Sequence, residues 1–140
     1  MTHDDPTPTP PRVSQLRLVV HADDFDAALV FYRDVLGLSQ EAAFEGDDDA
    51  RVAILDAGRA TLEIANSAQV AMIDSVETEG HTSTRLRVAF EVDDSDAVTG
   101  DLVDAGAELI AAPRETPWRS LNSRLRAPAD LEITIFQELD

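Results

Sequence analysis

The chain nearly copies one of its own segments. Residues 15–27 read QLRLVVHADDFDA and residues 85–97 read RLRVAFEVDDSDA, and the two align without a gap. With one deletion the correspondence continues, because Gly37 then matches Gly106 and Leu62 matches Leu131. Repeated units that cannot bury their apolar faces alone pack against each other. The repeat therefore predicts two similar modules that share one structure.

Each copy of the repeat opens with a strand and a helix. Apolar residues alternate with polar ones in LRLVVH (16–21) and LRVAFEV (86–92), which is typical of strands with one buried face. Asp24 and Asp94 follow these strands and can cap helices. Gly37 and Gly106 then suit the left-handed conformation that ends a helix.

Three short strands follow each predicted helix. In the first copy they are SQEAAF, ARVAIL and ATLEIA, and in the second AELIAA, SLNSRLR and LEITIF. The pattern is βαβββ twice, an α+β architecture in which helices cover one face of the sheet.

The boundaries of this organisation follow from composition. Residues 1–14 are rich in Pro, Thr and Asp and predict a disordered tail. We place a single domain at 15–140, with module 1 at about 15–66, a linker at 67–84 and module 2 at about 85–137. The linker is long, so we expect its apolar residues Val70, Met72 and Ile73 to cover part of a pocket.

The charge restricts the partners. The formal net charge is −17, so nucleic acid is not expected as a partner, whereas a cationic small molecule would be attracted. The chain has no cysteine, no signal peptide pattern and no membrane-length apolar run. We expect a cytoplasmic protein that does not bind membranes.

The first helix and the last two strands carry a family resemblance. A duplicated βαβββ module whose first helix reads DDFDAALVFYRDVLGLS (23–39), together with the closing ETPWRSLNSRLRAPADLEITIFQ (115–137), resembles the vicinal oxygen chelate superfamily. This group includes glyoxalase I, the bleomycin resistance proteins and the extradiol dioxygenases. The resemblance implies two modules that form a cupped mixed sheet around a cavity, commonly in a homodimer.

The resemblance also implies where a metal would be bound. Metalloenzymes of the superfamily place His or Glu ligands on the first and last strands of each module. The corresponding places here hold Arg17, Glu63, Arg87 and Thr134, although the internal repeat pairs Glu63 with Glu132 instead. A guanidinium has no lone pair to donate, so the two arginines exclude the usual divalent site. We therefore expect no cofactor, with a divalent metal as the alternative.

Two interpretations of these charged residues remain open. Arg17 and Arg87 can bind a ligand carboxylate on a polar cavity floor that also contains Glu63, Glu132 and Thr134. Alternatively, the arginines and glutamates form an internal salt-bridge cluster that replaces the metal and holds the modules together.

Three further residues are candidates for the site. His21 lies on the predicted cavity face and Glu91 at the matching place in module 2, so a general base is conceivable there, although a hydrogen-bonded edge histidine is the simpler interpretation. Trp118 precedes a predicted strand and can line the pocket mouth or close the core between modules.

The sequence thus favours a metal-free protein that binds a small organic molecule in the cavity. Acidic net charge favours a cationic ligand and the arginines favour a carboxylate, which a zwitterion would combine. The alternatives are a metal-dependent lyase or isomerase of the glyoxalase type, a dioxygenase, or a structural or interaction protein with a closed cavity. No reaction is assigned.

Overall fold

The computed structural model describes residues 7, 17, 18, 20–60, 63 and 65–140. Within them the helices are α1 (Phe25–Leu29), continued by a π-helical segment (Val30–Val35), α2 (Ser67–Thr78) and α3 (Ser95–Asp104). The strands are β1 (Gln40–Glu45), β2 (Arg51–Leu55), β3 (Arg87–Glu91), β4 (Glu108–Glu115), β5 (Ser120–Ala127) and β6 (Leu131–Glu138), with a 3-10 turn at Pro128–Asp130. The predicted α+β class is confirmed.

The second module is a complete βαβββ unit. Its strands form a four-stranded sheet in the order β3-β6-β5-β4. β3 runs parallel to β6 and the other pairs are antiparallel, so the sheet is mixed. Arg87 lies opposite Glu132, and Arg124 lies opposite Thr134. Since directly opposed residues share a face, this register gathers all four side chains on one side of the sheet.

Both predicted helix starts are confirmed. The side chain of Asp24 accepts a hydrogen bond from the Ala27 amide at 3.1 Å, and Asp94 accepts one from Ala97 at 3.0 Å. These bonds satisfy amides that otherwise have no partner in the first helical turn. After α3, Gly106 has φ of 108°, the left-handed conformation that glycine adopts without strain.

The sheet of module 2 separates an apolar layer from a polar one. On one face the core is formed by Phe31, Leu102, Ala107, Leu125, Ala127, Ile133 and Ile135. Leu102 belongs to α3, and Phe31 comes from the first module. On the opposite face lies α2, which contacts β4 and β5. The strand alternation explains this division, because Ile133 and Ile135 point to the core while Glu132 and Thr134 point the other way.

The helix of module 1 is tied to module 2. Phe31, in the π-helical segment, is 2 % exposed in the shared core. The Tyr32 hydroxyl donates a hydrogen bond to the Pro128 carbonyl at 2.9 Å, and burial raises the pKa of Tyr32 to about 12. These contacts pack the helix of module 1 against module 2.

The first module is described in part. Its helix and the β1–β2 hairpin lie where the sequence predicts them, and the two strands form a separate antiparallel sheet. The first and last strands predicted for this module include residues 16, 19, 61, 62 and 64, which lie outside the described residues. The described residues of these two segments, among them Arg17 and Glu63, are not in strands.

In the part of the chain that the structure describes, no helix combines the length and the apolar character that crossing a bilayer requires.

Candidate functional site

Arg124 is the centre of a charged network on the polar face of the module 2 sheet. Its Nη1 donates hydrogen bonds to Asp74 Oδ1 at 3.0 Å and Glu132 Oε2 at 2.8 Å, and its Nη2 donates to Glu77 Oε1 at 2.7 Å. Arg124 and Glu132 are both 0 % exposed. A guanidinium in such surroundings retains its proton, and although burial opposes the charge, the three carboxylates raise the pKa of Arg124.

Neutral and half-buried groups extend this network. Asn122 Nδ2 donates to Glu77 Oε2 at 2.6 Å, and Arg87 Nη1 donates to Thr134 Oγ1 at 2.7 Å. His81 Nε2 lies 3.3 Å from Glu132 Oε1. The network thus contains three carboxylates, all bound by Arg124, and a second guanidinium, that of Arg87, which binds Thr134. One negative charge is in excess when all of these groups are ionised.

The helix α2 buries charge where most helices bury apolar side chains. Asp74 and Glu77 are its buried residues, at 5 % and 3 % exposure, whereas Val70 and Met72 are 37 % and 42 % exposed. The apolar residues Val70, Met72 and Ile73, expected to cover part of a pocket, are exposed or only partly buried, so the fully buried face of α2 is its carboxylate face. The physical reason is that Arg124 draws the carboxylate face of α2 onto the sheet.

The sequence contains features that predict α2. Asn66 caps the helix by accepting a hydrogen bond from the Gln69 amide at 2.9 Å, and Gly80, with φ of 102°, follows its end. No glycine or proline stands between them. Asp74 and Glu77 are three residues apart and so lie on one helical face. The segment 67–84 was predicted to be a linker, so this helix was not predicted.

Asp74 is held ionised by its neighbours. Burial would raise the pKa of its carboxyl group, but hydrogen bonds from the Ser83 backbone and side chain and from Arg124 outweigh burial and lower that pKa. Ser83 donates from its amide at 3.0 Å and from its hydroxyl at 3.1 Å to Asp74 Oδ2. The ionised form of Asp74 therefore stabilises the folded state.

This shift predicts an acid-dependent loss of stability. Because the folded pKa lies below the unfolded value of about 3.9, the stabilisation is complete above that pH and is lost as the pH falls through the folded pKa. We expect Asp74→Asn to be less stable than the wild type at pH 7, with a difference that shrinks below about pH 4. Urea unfolding at pH 7, 5, 4 and 3 measures this difference. Asp101→Asn, exposed on α3, is the control, and a difference for Asp74→Asn that stays constant down to pH 3 would contradict the assignment.

The structure brings together only some of the residues that were predicted for the site. Glu132, Thr134 and Arg87 belong to the network around Arg124. The sequence offered two counterparts of Glu63 in module 2, namely Glu132 from the internal repeat and Thr134 from the family resemblance. Both are buried on the same face of the sheet. Arg124, Asp74, Glu77 and Asn122 were not predicted, because strand alternation does not distinguish a buried arginine from an exposed one.

The other predicted residues lie at the surface. Arg17, His21, Glu63, Glu91 and Trp118 are exposed, and none is a partner in the bonds described above. His21 Nε2 lies 3.3 Å from Asp23 Oδ1, in a shallow hollow of about 370 Å³ that also contains Asp130. Trp118, 43 % exposed on the turn between β4 and β5, does not close a core between the modules.

A divalent metal does not fit the residues at the family positions. Arg87 holds one of these positions as a hydrogen-bond donor, and Glu63 is exposed on a segment outside the strands. The three buried carboxylates converge on a guanidinium, which fills the place where a cation would sit. Among the described residues, no three His, Cys, Asp or Glu side chains are grouped so that they could hold a metal ion.

Known proteins resemble this chain over most of its length. The family model for a glyoxalase-like domain matches residues 17–136. The uncharacterized protein YraH of Bacillus subtilis is 26 % identical over 132 residues, which cover 91 % of this chain and 99 % of YraH.

Solved structures share the fold. A glyoxalase/bleomycin resistance protein/dioxygenase from Nocardioides is 20 % identical, with a TM-score of 0.52, and the match covers 94 % of this chain and 87 % of that one. A member of the same superfamily from Sphaerobacter thermophilus is 18 % identical, with a TM-score of 0.55, and the match covers 86 % and 92 %. At this identity the likeness concerns architecture alone.

Proposed function

The chain belongs to the glyoxalase-like domain family, and from this premise we propose that it binds a small organic molecule without a metal, on the polar face of the module 2 sheet. The single observation that carries the proposal is Arg124. It is a fully buried guanidinium whose donors face away from the core, at the centre of a ring of polar side chains. Such forks recognise carboxylates with defined geometry.

The surrounding charges support a ligand that carries a carboxylate. Without α2, the face would present Arg124 and Arg87 against the single carboxylate of Glu132, so an anionic group would find a complementary charge there. The net charge of −17 acts at longer range and favours a cationic group on the same molecule. The charges on the face thus select for the carboxylate, and a further cationic group, as in a zwitterion, would add the long-range attraction.

A second candidate function has a specific observation in its favour. The carboxylates of Asp74 and Glu77 already occupy the donors of Arg124 and Asn122, so the polar face is covered in this conformation. This arrangement supports a structural or interaction protein in which the cluster only holds the linker in place. The two candidates differ in whether any small molecule reaches Arg124.

A thermal-shift screen tests the proposed function. The purified untagged protein is screened against carboxylic acids, amino acids and organic cations, and Arg124→Lys, which keeps the charge and removes the planar fork, is screened in parallel. We expect at least one carboxylate-bearing compound to raise the Tm of the wild type and not that of Arg124→Lys. A screen without hits on either protein would favour the closed structural protein.

Metal uptake distinguishes the remaining alternatives. The protein is incubated with zinc, nickel, manganese and ferrous iron, dialysed, and analysed for bound metal. We expect no stoichiometric retention, because the arginines cannot act as ligands. Retention that is lost in Glu63→Ala would instead support a glyoxalase-type lyase or isomerase, or a dioxygenase.

Assembly and location complete the proposal. A homodimer is proposed on the family resemblance, and the exposed apolar side chains of Phe44, Val52 and Leu86 would suit an interface. Light scattering coupled to gel filtration measures the mass in solution.

The cytoplasm is the proposed compartment because the chain has no cysteine to form disulfides.

A further inference from the structure

We propose that the polar face of the module 2 sheet is a binding site for a small dicarboxylate, and that α2 occupies this site as an internal competitor. The inference rests on the proposed function and names both its ligand class and its regulation. In this conformation Asp74 and Glu77 stand where the two carboxylates of the ligand would bind.

The position of Glu77 has the form of a carboxylate site. Both oxygens of Glu77 are hydrogen-bonded by the sheet, one by Arg124 Nη2 at 2.7 Å and the other by Asn122 Nδ2 at 2.6 Å. Thr134 Oγ1 adds a longer contact of 3.4 Å to Oε1. Since all three donors belong to β5 and β6, they stay in place when α2 moves, and a free carboxylate would find the same partners.

The position of Asp74 provides a second carboxylate site on the same guanidinium. Arg124 Nη1 donates to Asp74 Oδ1 at 3.0 Å. On a helix, side chains three residues apart have Cβ atoms about 5–6 Å apart, so both acidic groups reach the two terminal nitrogens of one guanidinium. Two carboxylates on neighbouring nitrogens can belong to one short dicarboxylate, so succinate and glutarate are suitable probes.

Two buried polar atoms indicate that α2 does not fill the site completely. Arg124 Nε and Asn122 Oδ1 have no hydrogen-bond partner among the described residues, although Arg124 is 0 % and Asn122 is 5 % exposed. Buried polar atoms are normally paired, so a donor and an acceptor left over on one face point to a missing group. A hydroxyl group can accept from one and donate to the other. A 2-hydroxy dicarboxylate would therefore form hydrogen bonds with more of the buried polar atoms of the site than α2 does.

The docking of α2 suits displacement. The only fully buried side chains of the helix are two carboxylates, whereas its apolar side chains are exposed or only partly buried, so limited apolar burial holds it on the sheet. A buried ion pair gains less than its contacts suggest, because both partners lose their hydration. The apparent affinity of any ligand then falls by the fraction of molecules in which α2 is docked.

Calorimetric titration with succinate, glutarate and 2-hydroxyglutarate tests this inference at constant ionic strength. The test variant is Asp74→Asn with Glu77→Gln, which weakens α2 as a competitor and leaves the sheet intact. The matched control is Asp101→Asn with Glu41→Gln, which removes the same number of charges from exposed positions. Arg124→Lys keeps the charge and removes the fork.

We expect the test variant to bind glutarate about tenfold more tightly than the wild type and the control variant, since the competitor is weakened. Arg124→Lys should lose most of this binding, and 2-hydroxyglutarate should bind more tightly than glutarate. Equal affinities in the test and control variants, or binding unaffected by Arg124→Lys, would overturn the inference.

The two proposals fail in different ways. If thermal-shift hits bind through Arg124 but dicarboxylates do not compete with them, the inference is wrong while the proposed function stands. If no screened compound and no dicarboxylate binds either the wild type or the test variant, both are wrong.

Discussion

Replacing Arg124 by methionine is expected to lower the free energy of unfolding by about 3–5 kcal/mol, the usual cost of removing one partner from a buried ion pair. The substitution would leave Asp74, Glu77 and Glu132 facing each other in a buried space without a guanidinium to bind. Methionine is shorter but flexible and fills much of the same volume with apolar atoms, so the effect would come mainly from the lost charge. Urea unfolding at pH 7 measures it.

The neighbouring arginine on the same strand is the control. Arg126 is partly exposed and pairs with Glu108 at 3.4 Å and Asp130 at 3.2 Å, both at the surface. Arg126→Met should cost at most about 1 kcal/mol, because exposed ion pairs contribute little. In the Asp74→Asn, Glu77→Gln background, Arg124→Met should cost less than in the wild type, since fewer carboxylates are left unpaired. Equal losses for the two arginines would contradict the network.

Replacing Ile133 by alanine is expected to lower the free energy of unfolding by about 2–5 kcal/mol, because it opens a cavity in a fully buried core. Ile133 is 0 % exposed on β6, which pairs with both β3 and β5. Leu109→Ala on β4 is the control, since Leu109 is 44 % exposed and surface substitutions change stability by about 0.5 kcal/mol. Equal effects would mean that Ile133 does not face the core.

The sequence predicted module 2 well because local signals and burial agree there. Asp94 and Gly106 mark both ends of α3, and the alternation in 131–136 assigns Ile133 and Ile135 to one face and Glu132 and Thr134 to the other. The β1–β2 hairpin of module 1 was predicted on the same grounds.

The site was predicted only in part because it depends on contacts between distant segments. Alternation places Arg124 on the polar face of β5 together with Arg126, yet only Arg124 is covered by a helix. The cover comes from residues 50 positions earlier in the chain, as the Asp74 contact illustrates. Spacing within a strand carries no information about which distant element packs on it.

The resemblance placed the candidate site at the family's metal positions. Arg87 and Thr134 do form a hydrogen bond at 2.7 Å, as neighbours in the polar network. Arg17 and Glu63, their counterparts in module 1, are exposed. The buried cation of this face is Arg124, at a position to which the resemblance assigned no role.

Native-state hydrogen exchange tests most directly whether α2 is a cover that opens by itself. Amide exchange in 67–78 is compared with exchange in β5 and β6 as urea is raised below the unfolding transition. We expect the α2 amides to exchange through a local opening, with a free energy well below that of β6 and little dependence on urea. In the Asp74→Asn, Glu77→Gln variant α2 should exchange faster, with β6 unchanged. Exchange of α2 and β6 at the same free energy would show that α2 opens only when the whole domain unfolds and is not a separate cover.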